Sequence, residues 1–214
     1  MIPKAMELAK QLLGEDTSGH DFHHTLRVYH LAARIAEEES ANQILDLEIV
    51  GLIALLHDVD DRKLSPDTCK DLGRARRFLE ENGISGLRRD MILNGIRQIS
   101  YKGTDSEVPD LPEARCVQDA DRLDAMGAIG IARAFAFGGN RNRAMYDPKV
   151  PPRENMDEAA YVQNKGHTIN HFYEKLLLLK DMMNTETGKR MAVHRHAYMK
   201  DFLEEFYAEW DGLR

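Results

Sequence analysis

The chain has 214 residues, 43% of them hydrophobic and 30% charged, the balance of a folded globular protein rather than a disordered one. A net charge of -7 argues against binding to nucleic-acid polymers, because displacing counterions from phosphates takes a basic face. No segment reaches the ~20 apolar residues of a membrane span or the apolar stretch of a signal peptide, and Cys69 and Cys116 form no CxxC pair, so a cytoplasmic protein is expected.

Leu, Ala, Met, Glu, Lys and Arg dominate, which favours helix. Met6, Ala9, Leu12 and Leu13 fall on one side of a short helix over 3–13, broken by Asp16-Thr17-Ser18-Gly19. A helix over about 21–39 carries Val28, Leu31, Ala32, Ile35 and Ala36 at three- and four-residue steps. The helix over 45–58 is apolar nearly all round and is therefore expected at the centre. Helices over 67–82 and 86–99 follow, separated by the stop signal Asn82-Gly83. After a loop over 101–112, one long helix is predicted over about 113–137. The stretch 138–153, with Gly138-Gly139 and three prolines, reads as a candidate flap, and two helices over 156–183 and 186–210 close the chain. No alternating strand pattern occurs. The expected fold is all-α, a single domain over 1–214 with its metal-binding core at about 18–137.

His57-Asp58 ends the apolar run 50–56, placing an imidazole beside a carboxylate where a buried helix stops. His24 upstream and Asp121 downstream each sit on a separate predicted helix. Together the four offer two nitrogens and two carboxylates to a divalent metal ion. Such a mixed set suits Mn, Fe, Co, Ni or Zn, whereas an all-oxygen set favours Mg or Ca. Neighbours on a regular helix diverge by about 100°, so His57 and Asp58 share an ion only if the helix ends there. The rival reading makes His57 a helix-end histidine and Asp58 a cap. His20 and His23 compete with His24, which is preferred because Arg27 shares its face.

The segments Asp21-Phe22-His23-His24-Thr25-Leu26-Arg27-Val28, Leu55-Leu56-His57-Asp58-Val59-Asp60-Asp61-Arg62-Lys63 and Gln118-Asp119-Ala120-Asp121-Arg122-Leu123-Asp124 resemble the HD-domain metal-dependent phosphohydrolase superfamily. They are most similar to its small stand-alone bacterial hydrolases, among which is a manganese-dependent nucleoside-triphosphate pyrophosphohydrolase type. The likeness extends through Gly138-Gly139, Tyr146-Asp147-Pro148 and the stretch 170–176. The resemblance implies a helical HD fold and a nucleotide-like phosphorylated substrate. It also implies a divalent ion, Mn favoured over Fe, Co, Ni, Mg or Zn, with Asp121 as the last ligand in its Ala120-Asp121-Arg122 setting. It further implies that Asp61, four residues past His57, orients water or moves a proton; the alternative is a solvated loop aspartate, and Asp60 is read as the solvent-facing member of the pair. Asp124 could orient a ligand histidine.

Lys63 and Arg27 are the candidate phosphate ligands, one a flexible point charge and the other a planar fork. Arg122 either binds substrate or pairs with Asp119 or a neighbouring helix. Ser100 and Lys102 stand where a helix gives way to a loop and could hydrogen-bond substrate, and His171 either contacts phosphate or packs in the core. The apolar residues 176–183 are core or a homodimer surface. Three functions stay open: a phosphohydrolase, a non-catalytic nucleotide-binding sensor, and a di-iron oxygenase recruiting His20 and His23.

Overall fold

A computed structural model describes residues 1–14, 21–61, 65, 67–163 and 166–214. Among the described residues every regular element is helical, so the chain is all-α as expected, and no helix is long and apolar enough to cross a membrane. The chain divides into two compact units, Met1–Tyr101 with Ser106–Asp121, and Lys102–Asp105 with Arg122–Arg214.

The first unit is built around α3 (Leu47–Leu56), which packs against α1 (Ile2–Leu13), α2 (Phe22–Glu39) and α5 (Gly86–Arg97). Every residue of α3 from Ile49 to Leu56 is buried, the outcome its unbroken apolar run requires. Its first turn is fixed by Asp46, whose carboxylate accepts from the Glu48 and Ile49 amides at 3.0 and 3.2 Å. Between α3 and α5 lies α4 (Gly73–Glu81), six residues shorter at its start than the helix expected from 67. Residues 67–72 are turns, and Leu72 takes a left-handed backbone (φ 55°) that bars a continuous helix. The unit is completed by most of α6 (Pro112–Asp124).

The single helix expected over 113–137 is two. After Asp124, the Ala125 and Met126 amides reach back only three residues, to Arg122 and Leu123, and Gly127 adopts φ 68° to start α7 (Gly127–Asn140). A Cβ on Gly127 would lie 3.2 Å from Arg195 Cγ, so both the dihedral and the close approach call for glycine. The apolar period runs on through the break, which is why pattern alone merges the two helices.

Helix α7 also reaches past Gly138-Gly139, so the irregular stretch of the second unit begins at Arg141. That stretch is tied down. The Thr168 and Ile169 amides donate to the Ala144 and Met145 carbonyls, both at 3.0 Å, and Asn170 Nδ2 donates to Val150 at 3.0 Å. Tyr146 inserts edge-on against His167, Phe206, Tyr207 and Trp210.

The helix expected over 156–183 is a chain of short pieces: α8 (Glu158–Gln163), α9 (Thr168–His171), a π turn over Phe172–Leu176 and a 3-10 turn over Leu178–Met182. His167 is one cause, since its ring accepts from the Asn170 amide and opens a new helix at Thr168. The other is the Leu177 amide, which bonds the Phe172 carbonyl five residues back at 2.8 Å. Leu176, Leu179 and Met183 enter the core. Last comes α10 (Glu186–Trp210), opened by a Thr185 cap on the Gly188 amide at 2.9 Å.

Candidate metal centre

His24, His57, Asp58 and Asp121 all belong to the first unit. The α2 cap Asp21 holds the His24 amide at 2.7 Å, setting His24 in the first helical turn with its side chain fully buried. Helix α3 stops at Leu56 and His57 is its C-cap, followed by a turn in which the Asp61 amide donates to the Asp58 carbonyl at 3.0 Å. The helix therefore ends where His57 and Asp58 would have to leave the helical path to face one ion.

His57 Nδ1 lies 2.8 Å from the Ala54 carbonyl. A carbonyl only accepts, so Nδ1 carries the hydrogen and the other ring nitrogen of the neutral imidazole keeps its lone pair. That nitrogen, Nε2, is buried and makes no hydrogen bond, an orphan that a simple helix-end histidine would not leave. Around it, ligand atoms of His24, His57 and Asp58 all fall within 4.8 Å of one another. Asp58 Oδ2 is 3.5 Å from His24 Nε2 and 3.4 Å from His57 Nε2, and Asp121 Oδ1 is 3.4 Å from His24 Nε2. Ligands about 2.1 Å from one ion lie roughly 3.0–3.4 Å from each other, so these separations suit coordination. Two imidazoles and two carboxylates fit a divalent transition ion better than calcium.

Burial pushes the Asp121 carboxyl up, but when the imidazoles are protonated the hydrogen bond and charge of His24, with His57 beyond, bring it down to about 2 against the opposing charge of Asp58, a role that a bound cation would take over. It is thus ionised at any ordinary pH. The Asp121 side chain is 25% exposed while those of His24, His57 and Asp58 are nearly sealed, so Asp121 marks the side open to water.

Asp61 follows on the same turn, half-buried, and Arg27 is half-buried one helical turn beyond His24. Ser100 is exposed just past α5, and His23 is exposed on α2. Lys63 and His20 lie outside the described residues. In the second unit, Lys102 is half-buried. Arg122 is 5% exposed and its guanidinium donates to the Met182 carbonyl. Asp124 pairs with Arg133 at 2.8 Å. His171 stacks on Tyr161 with ring centroids 6.2 Å apart. Burial, aided by Lys175 and Arg143, takes His171 down to about 3, so it can offer phosphate a hydrogen bond but no charge.

The expectation for Asp60 is overturned. It is 3% exposed, and its two oxygens accept from the Arg74 and Ala75 amides at 3.1 and 2.9 Å. The reason is the start of α4: Leu72 has no capping side chain of its own, so the acceptor for the first helical amides arrives from Asp60.

A model of the HD domain matches residues 21–126. The Bacillus subtilis protein YpgQ, named as uncharacterized, is 38% identical over 207 residues, 95% of this chain and 91% of YpgQ. A Lactobacillus plantarum protein of known structure has a TM-score of 0.86 and 38% identity, covering 99% of this chain and 97% of that one. An HD-superfamily hydrolase from Bacillus thuringiensis gives 0.73 and 39%, over 98% and 96% of the two chains. The crystal structure of YpgQ in complex with ADP matches with a TM-score of 0.77 and 33% identity over 100% of both chains.

Proposed function

Starting from the fact that this chain belongs to the HD-domain superfamily, we propose that it is a metal-dependent phosphohydrolase acting on a nucleotide, with (deoxy)nucleoside triphosphates foremost. The observation that carries the reading is that ligand atoms of His24, His57 and Asp58 lie within 4.8 Å of one another, with Asp121 Oδ1 3.4 Å from His24 Nε2. The ADP bound to YpgQ supports the nucleotide part.

His24, His57, Asp58 and Asp121 would hold the ion, Mn favoured among Mn, Fe, Co, Ni, Mg and Zn. Bound there, a divalent ion polarises a phosphoryl oxygen and lowers the pKa of water toward ~7. Asp61, fixed to the Asp58 carbonyl through its amide, would take the proton released as water adds to phosphorus and the bond to the leaving phosphate breaks. Arg27 would bind the phosphate as a planar fork and neutralise its growing charge, with Lys63 as a second cation. Ser100 would donate a hydrogen bond to the substrate.

The test is turnover of a nucleotide and phosphate-ester panel by protein loaded with Mn, Mg, Co or Ni. Hydrolysis of a nucleoside triphosphate, fastest with Mn, is the expected result. Folded, metal-loaded protein that turns over no member of the panel would overturn the proposal. A second reading, a nucleotide sensor without catalysis, is favoured by the ADP bound to YpgQ; a binder would hold nucleotide tightly in that same assay and release no phosphate.

A further inference from the structure

We propose that Asp60 is a positioning residue for the metal centre: it ties the turn bearing His57 and Asp58 to the start of α4. The inference rests on the reading that His24, His57, Asp58 and Asp121 hold a cation.

An α-helix opens with amides that have no partner inside it, and the residue at its start normally satisfies them with a side-chain oxygen. Leu72 stands at that place in α4 and has none. The second and third helical amides, Arg74 and Ala75, point instead at the Asp60 carboxylate, one to each oxygen. A buried carboxylate accepting two amides at the positive end of a helix is held firmly, by charge-assisted hydrogen bonds and by the helix dipole together.

The same helix also reaches the residue before Asp60. Arg74 Nη1 donates to the Val59 carbonyl at 3.4 Å, and Ser65 Oγ donates to it at 3.1 Å. The Val59 side chain is fully buried. On the other side, His57 Nδ1 grips the Ala54 carbonyl within α3. Asp58 therefore sits between two anchors, α3 behind it and α4 ahead of it, and the second anchor is Asp60. A regular helix cannot aim adjacent residues at one point, so the turn after Leu56 has to be fixed from outside, and α4 does this.

The Asp60 oxygens are turned to the α4 amides, not to the His24, His57 and Asp58 ligand atoms. Loss of Asp60 would free the turn and leave the buried Ala75 amide and the part-buried Arg74 amide without their acceptor, moving the Asp58 carboxylate relative to His24. Removing partners that orient ligands lowers metal affinity by about 10–100-fold.

The experiment measures Mn binding by calorimetry on chelator-stripped full-length protein, with cooperative unfolding of each variant recorded alongside. Asp60→Ala is expected to lose about 10–100-fold in affinity. Asp60→Asn retains one carbonyl acceptor and is expected to fall between the two, and it serves as the deciding variant if Asp60→Ala does not fold. Thr185→Ala removes a comparable cap from α10 and is expected to lower stability while leaving Mn affinity within about twofold of the parent. Folded Asp60 variants with parental affinity would overturn the role of Asp60 alone, as would an equal loss in Thr185→Ala. A parent protein that binds no Mn, Co or Ni would overturn the metal centre itself and this inference with it.

Discussion

His24 Nε2 and Asp121 Oδ1 stand 3.4 Å apart, one carried by α2 and the other by α6. An ion between them bridges helices distant in sequence and binds the folded chain only. Mn at a hundred times its dissociation constant should therefore stabilise the protein by about 2.7 kcal/mol, raising Tm by roughly 5–10 °C. Asp121→Ala should abolish most of that rise, read by thermal unfolding with and without chelator. An equal rise in the variant would remove Asp121 from the ligand set.

Asp61 should separate chemistry from binding. Asp61→Asn preserves shape and the backbone bond to Asp58 but takes no proton. Its kcat is expected to fall by about 10²–10⁴-fold with Mn affinity unchanged. Steady-state kinetics beside calorimetry checks this, and unaltered kcat would return Asp61 to the solvated loop residue it could also be.

The Asp124–Arg133 pair should matter for stability rather than catalysis. The Asp124 side chain is only 2% exposed, so Arg133→Ala removes a charge-assisted hydrogen bond from a buried carboxylate, with the charge of Arg195 remaining nearby, and should cost about 2 kcal/mol in urea unfolding. Replacing both by apolar or amide groups, as in Asp124→Asn with Arg133→Met, should recover part of the loss. A single-variant cost below about 1 kcal/mol would mean the pair behaves like an exposed one.

His171 should make the protein less stable in mild acid. Burial depresses its folded value to about 3 from an ordinary 6.5, so below 6.5 the unfolded chain binds a proton that the folded chain refuses. Stability therefore falls as pH drops from 6.5 toward 3. Since the ring is half-buried, a loss of about 1 kcal/mol by pH 5 is expected. His171→Phe keeps a ring against Tyr161 and should flatten this slope; an unchanged slope would place the titration elsewhere.

Much of the helical order was readable from the chain because α3 buries every residue from Ile49 on and the stop Asn82-Gly83 acts locally. The closeness of His24, His57 and Asp58 was readable for a different reason, since imidazoles and carboxylates beside apolar runs have few inexpensive alternatives, whereas Asp121 was singled out from Asp119 and Asp124 by the family resemblance. Features that depend on distant partners were not readable. Gly127 breaks the α6–α7 pattern beside Arg195, which no window around residue 127 contains. Asp60 looked like the solvated half of an acidic pair because the amides that bury it come from Arg74 and Ala75. The pieces of 156–183 part at His167 and at a five-residue bond, neither of which disturbs apolar spacing enough to register.

The wide turn at Phe172–Leu176 holds one residue more than an α-helical ladder accommodates. Deleting a single residue there, Tyr173 for instance, should let the backbone close into ordinary four-residue bonding, swinging the ring of His171 by about 100° relative to everything downstream. Insertions and deletions among relatives should thus be tolerated at this spot in steps of one, with the orientation of that imidazole as the trait they exchange.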